Sequence, residues 1–438
     1  MNRLKLCGVV ALLFGCSIFT FSYAQSAPMT LEECLEYAKQ NSITLQQAKL
    51  GVDNSEAGEV SAKGAFLPSI SGSVSQSLSS NPLSDYSDKS SYVGSYGLDL
   101  SMTLYNGGKI RSQFKQSALD TQMSNLEYEE FENSLEVSVT EVYVEILYAM
   151  EQIKVAENTI ELNTKNEERG KVFLELGSIN EVDYAQLQSA TVSSKYDLVV
   201  AKTQLSNLYV VLKHLLELSQ GETISVKEPD LSSQALAVGV PTVADVYAEA
   251  LELRPEIQSS MLYVEYAEYN TKIAKAGYLP TLSLSAGTGV SHSSSSSYTF
   301  SDQLRNNFST SVGLNLSVPI FSQFKNRSNV RIAKNNVSIA ELSLTQAQKD
   351  LYQTIETLHN NAETSMAKYL MSEYLLDATQ KSLTLTTEQY NLGSKNIIEL
   401  LTEQDNYNQT YQDYLTNKYQ LVLNKALLNY YKTNIIKL

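Results

Sequence analysis

Four stretches of this chain alternate polar and apolar residues with a period of two, at residues 69–79, 92–105, 281–292 and 308–320. In the first, Ile70, Val74 and Leu78 fall on one side, with Ser69, Ser71, Ser73, Ser75 and Ser77 on the other. The second sets Tyr92, Tyr96, Leu98, Leu100, Met102 and Leu104 against Ser95, Asp99, Ser101 and Thr103. The third and fourth repeat the arrangement, Leu282, Leu284, Ala286 and Val290 opposing Thr281, Ser283, Ser285 and Ser291, and Phe308, Val312, Leu314, Leu316, Val318 and Ile320 opposing Ser309, Ser311, Asn315 and Ser317. Side chains alternate across a strand, so each segment predicts a strand with one oily and one hydroxyl-bearing face. A soluble sheet on a core alternates in the same way. The length of the runs and the density of serine instead favour strands between lipid and water. The joining segments, 79–91 and 293–307, are polar and predict loops.

Between the strand pairs the period changes. Phe131, Leu135, Val139, Val142, Ile146, Ile153 and Ile160 recur at spacings of three, four and seven, as do Leu351, Ile355, Leu358, Ala362 and Met366. These narrow seams predict long helices packed side by side, over residues 107–176 and 322–392. At 1.5 Å per residue each would extend roughly 100 Å, too long for a compact globule. Shorter helices are predicted over residues 30–65, 178–217, 242–277 and 395–432, with Pro68 and Pro280 stopping the first and third.

The plan occurs twice. Lys63-Gly64-Ala65-Phe66-Leu67-Pro68 returns as Lys275-Ala276-Gly277-Tyr278-Leu279-Pro280, an offset of 212. Leu104-Tyr105-Asn106-Gly107-Gly108-Lys109 corresponds to Ile320-Phe321-Ser322-Gln323-Phe324-Lys325, and Leu176-Gly177-Ser178-Ile179-Asn180 to Leu392-Gly393-Ser394-Lys395-Asn396, both at an offset of 216. The fold class is therefore mainly α with a β-barrel part, a duplicated helix–strand–strand–helix–helix unit over residues 25–217 and 243–438, joined by a linker at 218–242 that holds Gly221, Pro229, Gly239 and Pro241. Four strands do not close a membrane barrel, which takes about eight or more, and open edges are not tolerated in lipid. A membrane reading thus requires self-association.

Composition narrows the class. Residues 1–24 read as a secretory signal peptide, with Arg3 and Lys5, an apolar run, and Ser22-Tyr23-Ala24 as the cleavage site. Cys16 offers a lipidation alternative. Cleavage leaves Cys34 as the one cysteine, on a helical face with Leu31, Leu35 and Ala38, so a small buried apolar role is expected. A net charge of −15 argues against nucleic acid. His214, His292 and His359 are scattered, with no partner at metal-ligand spacing, and no GxxxxGK[ST], HExxH or GxSxG pattern occurs. The residues supply neither catalytic chemistry nor a cofactor site.

In its order of elements the chain resembles the TolC-type outer-membrane efflux proteins. The resemblance rests on Thr30-Leu31-Glu32-Glu33-Cys34-Leu35, the two Leu-Pro junctions, Leu104 to Lys109 and the paired Gly177 and Gly393 turns. It implies a homotrimer with a twelve-stranded barrel in the outer membrane of a Gram-negative cell. It also implies a long periplasmic helical tube that docks on a membrane-fusion adaptor and an inner-membrane pump of the RND or ABC type. The turns at Gly177, Ser178 and Asn180 and at Gly393, Ser394 and Asn396 would be periplasmic tips that contact the adaptor. Asp183, Tyr390, Lys395 and Glu399 would form a gate, with Lys395 facing Asp183 and Glu399 giving an acidic ring near Thr402. The rival class is a secreted coiled-coil scaffold or adhesin without transport.

Overall fold

The computed structural model describes residues 28–80, 90–229 and 239–438. The signal segment, Cys16, the tip of the 79–91 loop and part of the 218–242 linker lie outside them. The first half runs α1 (Leu31–Asn41), α2 (Ile43–Gly64), β1 (Ser69–Ser80), β2 (Ser90–Tyr105), α3 (Lys109–Glu175) and α4 (Glu181–Leu215). The second runs α5 (Val243–Leu253), α6 (Pro255–Ala276), β3 (Thr281–Ser293), α7 (Phe300–Asn306), β4 (Ser309–Ser317), α8 (Lys325–Asn391) and α9 (Ile397–Thr433).

Several boundaries depart from the hydropathy pattern. The helix expected over 30–65 is two helices broken at Ser42, whose amide donates to the Ala38 carbonyl while its hydroxyl caps the next helix at Leu45. Its counterpart at 242–277 breaks at Arg254, because Pro255 restricts the residue before it and starts α6 at the first helical position. The 293–307 loop contains the single short helix α7, capped by Thr299. β4 stops at Ser317 rather than continuing to residue 320, since Pro319 has no amide to give the ladder. The start of the linker is not free either. Met29 bridges Val226 in parallel, with Met29 N donating to Ser225 O and Lys227 N to Met29 O, each at 2.9 Å. The buried Tyr143 hydroxyl then donates to the Lys227 carbonyl at 2.6 Å.

The strands form one antiparallel sheet in the order β1-β2-β3-β4, leaving β1 and β4 as edges. The helices form rows of the same kind. Next to the sheet the row is α2-α3-α6-α8, and toward the far tips it is α4-α3-α9-α8, with α3 and α8, 67 residues each, running through both. Where the rows meet, α1 packs on α3, α5 packs on α8 and α9, and the largest buried cluster collects Leu31, Cys34, Leu35, Val139, Tyr143, Ile146, Tyr369, Tyr419 and Tyr430. Burial there, with a lesser push from Glu33, raises the Cys34 thiol to about 12, so it stays a neutral packing group. None of the helices among the described residues is long and apolar enough to cross a membrane.

Candidate functional site: the sheet faces and the helical tips

The ladder registers place Ile70, Leu100, Ala286 and Val312 in one cross-strand row and Ser71, Asp99, Gly287 and Ser311 in the next. Partners across a ladder share a face, so the sheet has one apolar side and one side of Ser, Gly, Thr and Asn that also carries Asp99. On the edge strands the apolar residues are open. Ile70, Val74 and Leu78 on β1 are 71–75% exposed, and Val312, Leu314 and Leu316 on β4 are 61–74% exposed. At the end of the sheet remote from the long helices, His292 occupies the space over Gly94 and stacks on Tyr96, 6.1 Å between ring centres. Tyr92 and Phe300 complete the cluster, and Gln76 Nε2 donates to the Tyr96 hydroxyl at 2.9 Å. Such an aromatic band suits the boundary between hydrocarbon and headgroups.

At the opposite end each long helix turns back on itself. Gly177 lies at φ 73 and Gly393 at φ 74, the left-handed region that a side chain disfavours. Gly177 N donates to Leu174 O and Ser178 N to Phe173 O; Gly393 N donates to Tyr390 O and Ser394 N to Gln389 O. Both are Schellman turns. Asn180 and Asn396 then cap α4 and α9 with identical backbone angles, accepting from Asp183 N and Glu399 N at 2.9 Å. The six tip residues are thus two copies of one device.

The four expected gate residues separate into two groups. Tyr390 is buried, packs edge-on against Phe173 and joins Leu187, Ile397 and Leu400 in a small core between the two hairpins. Burial pushes its hydroxyl up; the Arg169 guanidinium opposes that rise and Asp183 adds to it. Lys395 does not pair with Asp183 in the protomer. Its ammonium meets Glu399 Oε1 at 2.6 Å, one helical turn along α9. That hydrogen bond, and then the Asn396 amide, hold the Glu399 carboxyl below its ordinary range. Glu399 is therefore a capping and ion-pairing group before it is a free acid.

Three contributors to the tips escaped the hydropathy pattern. Arg169 donates to the Asn391 side chain and ties α3 to the end of α8. Gly170 lets α4 approach closely, since a Cβ there would stand 2.2 Å from Leu187 Cδ1. Farther from the tip, the buried Asn163, Asn166, Thr191, Ser194 and Gln404 form one hydrogen-bonded layer across α3, α4 and α9, in which Asn163 Nδ2 donates to Ser194 Oγ at 3.3 Å and Gln404 Nε2 to Asn163 Oδ1. An Asn or Gln on a coiled-coil seam is readable only as a break in apolar spacing.

The sequence model of one family, "Outer membrane efflux protein", matches residues 34–216 and 246–429. The chain belongs to the outer membrane efflux protein family. Among its relatives, the outer membrane efflux protein BepC of Brucella suis is 22% identical over 90% of this chain and 83% of its own length. TolC of Escherichia coli K12 is 21% identical over 95% of this chain and 84% of its own. Solved structures share the fold. CusC superposes with a TM-score of 0.81 over 93% of this chain and 95% of that one, at 19% identity. VceC of Vibrio cholerae gives 0.78 over 91% and 95%, at 15% identity. Within the family the protein is an outer-membrane channel whose helices extend into the periplasm, and family members are channels rather than enzymes.

Proposed function

We propose that three copies of this outer membrane efflux protein close edge to edge into a passive conduit for small molecules, served by a periplasmic adaptor and an inner-membrane RND or ABC-type pump. The observation that carries this reading is that sheet and helix rows end alike, in unpartnered apolar edges. β1 and β4 are the free strands. On α4, Val192, Tyr196, Val199 and Val210 are 62–68% exposed, and on α8, Met371, Leu375 and Leu385 are 54–72% exposed. Their spacings follow the three-and-four rhythm of a coiled-coil seam. Nearer the sheet, Leu50 and Val60 on α2 and Ile332, Ile339 and Leu342 on α8 repeat the arrangement. A second copy supplies the missing neighbour at every level, because α8 of one chain fits the α4 and α2 edges of the next as β4 fits β1. Closure turns the apolar side of the sheet to lipid and the serine side to water.

In this conduit the turns at Gly177, Ser178, Asn180, Gly393, Ser394 and Asn396 meet the adaptor, and Asp183, Tyr390, Lys395 and Glu399 narrow the entrance. The CusC and AprF relatives carry names that speak of cation efflux and alkaline protease secretion respectively, so cargo differs among family members and the pump selects it here. Oxidation of a Val199→Cys/Leu375→Cys double variant in intact cells tests the arrangement. The expected product is a covalent ladder ending at three chains. A chain that stays uncrosslinked under oxidation overturns it.

A further inference from the structure

The polar side of the sheet carries one acidic residue and no basic one among the described strands. β1 contributes serines, β3 and β4 contribute Ser, Thr, Gly and Asn, and β2 contributes Asp99. Asp99 sits in the row Ser71, Asp99, Gly287, Ser311, six positions from the helix end of β2 at Tyr105. Its carboxylate lies over glycine on both sides. A Cβ on Gly287 would stand 3.1 Å from Oδ1, and one on Gly97 would stand 3.8 Å from Oδ2. No side chain of these two neighbours covers it, and among the described strand residues no cation shares its face to neutralise it.

We propose that Asp99 sets the charge selectivity of the barrel, as the one fixed charge that the described strands of each chain place in the water-filled lumen, at mid-height. The proposal rests on the conduit reading, which turns the serine side inward. The opposite orientation would put three carboxylates against hydrocarbon, where a charge has no water or partner to solvate it. Facing water, the carboxylates act across a lumen whose surrounding lipid is a low-dielectric wall that focuses their field along it. The hydroxyl lining has dipoles but no net charge, so it offers no competing preference. Cationic and neutral small molecules are favoured over anions in this part of the path, whatever the pump delivers.

Planar bilayers holding the purified oligomer in a dilute KCl gradient test this, because at 0.01 M salt the Debye length is about 30 Å and the ring field fills the lumen. The cation-over-anion permeability ratio, read from the reversal potential, should fall several-fold in Asp99→Asn and favour anions in Asp99→Lys. Ser101→Asn, on the same face, should leave it unchanged. The acidic residues of the helical tips are present in every variant, so differences between variants read Asp99 alone. An unchanged ratio in Asp99→Asn overturns the proposal, even where Asp99→Lys fails to assemble. A wild-type protein that makes no channels would instead contradict the conduit itself.

Discussion

Phe173 of α3 and Tyr390 of α8 meet edge to face, ring centres 6.2 Å apart at 60°, and so join the two hairpins of one protomer at their tips. The Tyr390 hydroxyl is buried beside them with no hydrogen-bond partner among the described residues. The ring, rather than the hydroxyl, holds the hairpins together.

Tyr390→Phe should therefore leave thermal stability unchanged or slightly raised, since it removes an unpaired buried polar atom. Tyr390→Ala should cost about 3–5 kcal/mol, as large aromatic deletions do, and should raise single-channel conductance by loosening the entrance. Equal losses from both variants, read by thermal melts and bilayer recordings, would show that the hydroxyl does the holding.

The Lys395–Glu399 pair gives the tip a pH response. Glu399 titrates below its ordinary 4.5 in the folded chain, so its contribution is present above that value and fades as pH falls through the depressed one. Hydrogen exchange of the α9 N-terminal amides should accelerate in that acid window. Lys395→Met should move the onset to higher pH, and Lys395→Glu should loosen the cap and raise conductance at neutral pH. An onset indifferent to residue 395 would remove the ion pair from the account.

Gly107 and Gly108, at φ 67 and 80, turn the chain from β2 into α3, and Gln323 and Phe324 make the same left-handed turn at φ 51 and 62 in the second half. A Cβ on Gly107 would stand 2.8 Å from Leu279 Cβ, whereas nothing lies within 4 Å of one on Gly108. Gly108→Ala should thus cost only the left-handed backbone term of about 1–2 kcal/mol, Gly107→Ala more, and Gln323→Gly should stabilise by about 0.5–1 kcal/mol. Denaturant midpoints rank the three. Equal costs at 107 and 108 would contradict the close approach.

The buried layer around Asn163 and Gln404 is open to a similar test. Gln404→Leu removes the donor to Asn163 Oδ1 and the acceptor of Asn166 Nδ2 and should cost about 1–3 kcal/mol. A neutral melt would mean that the layer relaxes around the change.

Much of this architecture was legible in the chain because it depends on local rules. Period-two serines mark the strand faces, Pro68 and Pro280 mark helix ends, and Gly177 with Asn180 marks a turn whatever the surroundings. The break at Ser42 was not legible, since a serine inside a helical pattern is ordinary and only the tertiary path shows it capping both sides. Val226 looked like linker because its burial depends on Met29 and Tyr143, far away in sequence. The same holds at the tip. Tyr390 and Lys395 could be placed only by the resemblance to the family, whereas Phe173 and Arg169 act through partners on another helix, and within the protomer Lys395 pairs with Glu399, its neighbour one turn away.

The central claim is that identical chains complete one another at the β1 and β4 edges. Native mass measurement of the mature protein, extracted from outer membranes with and without detergent, addresses it directly. The expected result is a particle of three chains that exists only with detergent bound. A single chain that remains soluble and folded in detergent-free buffer would contradict it.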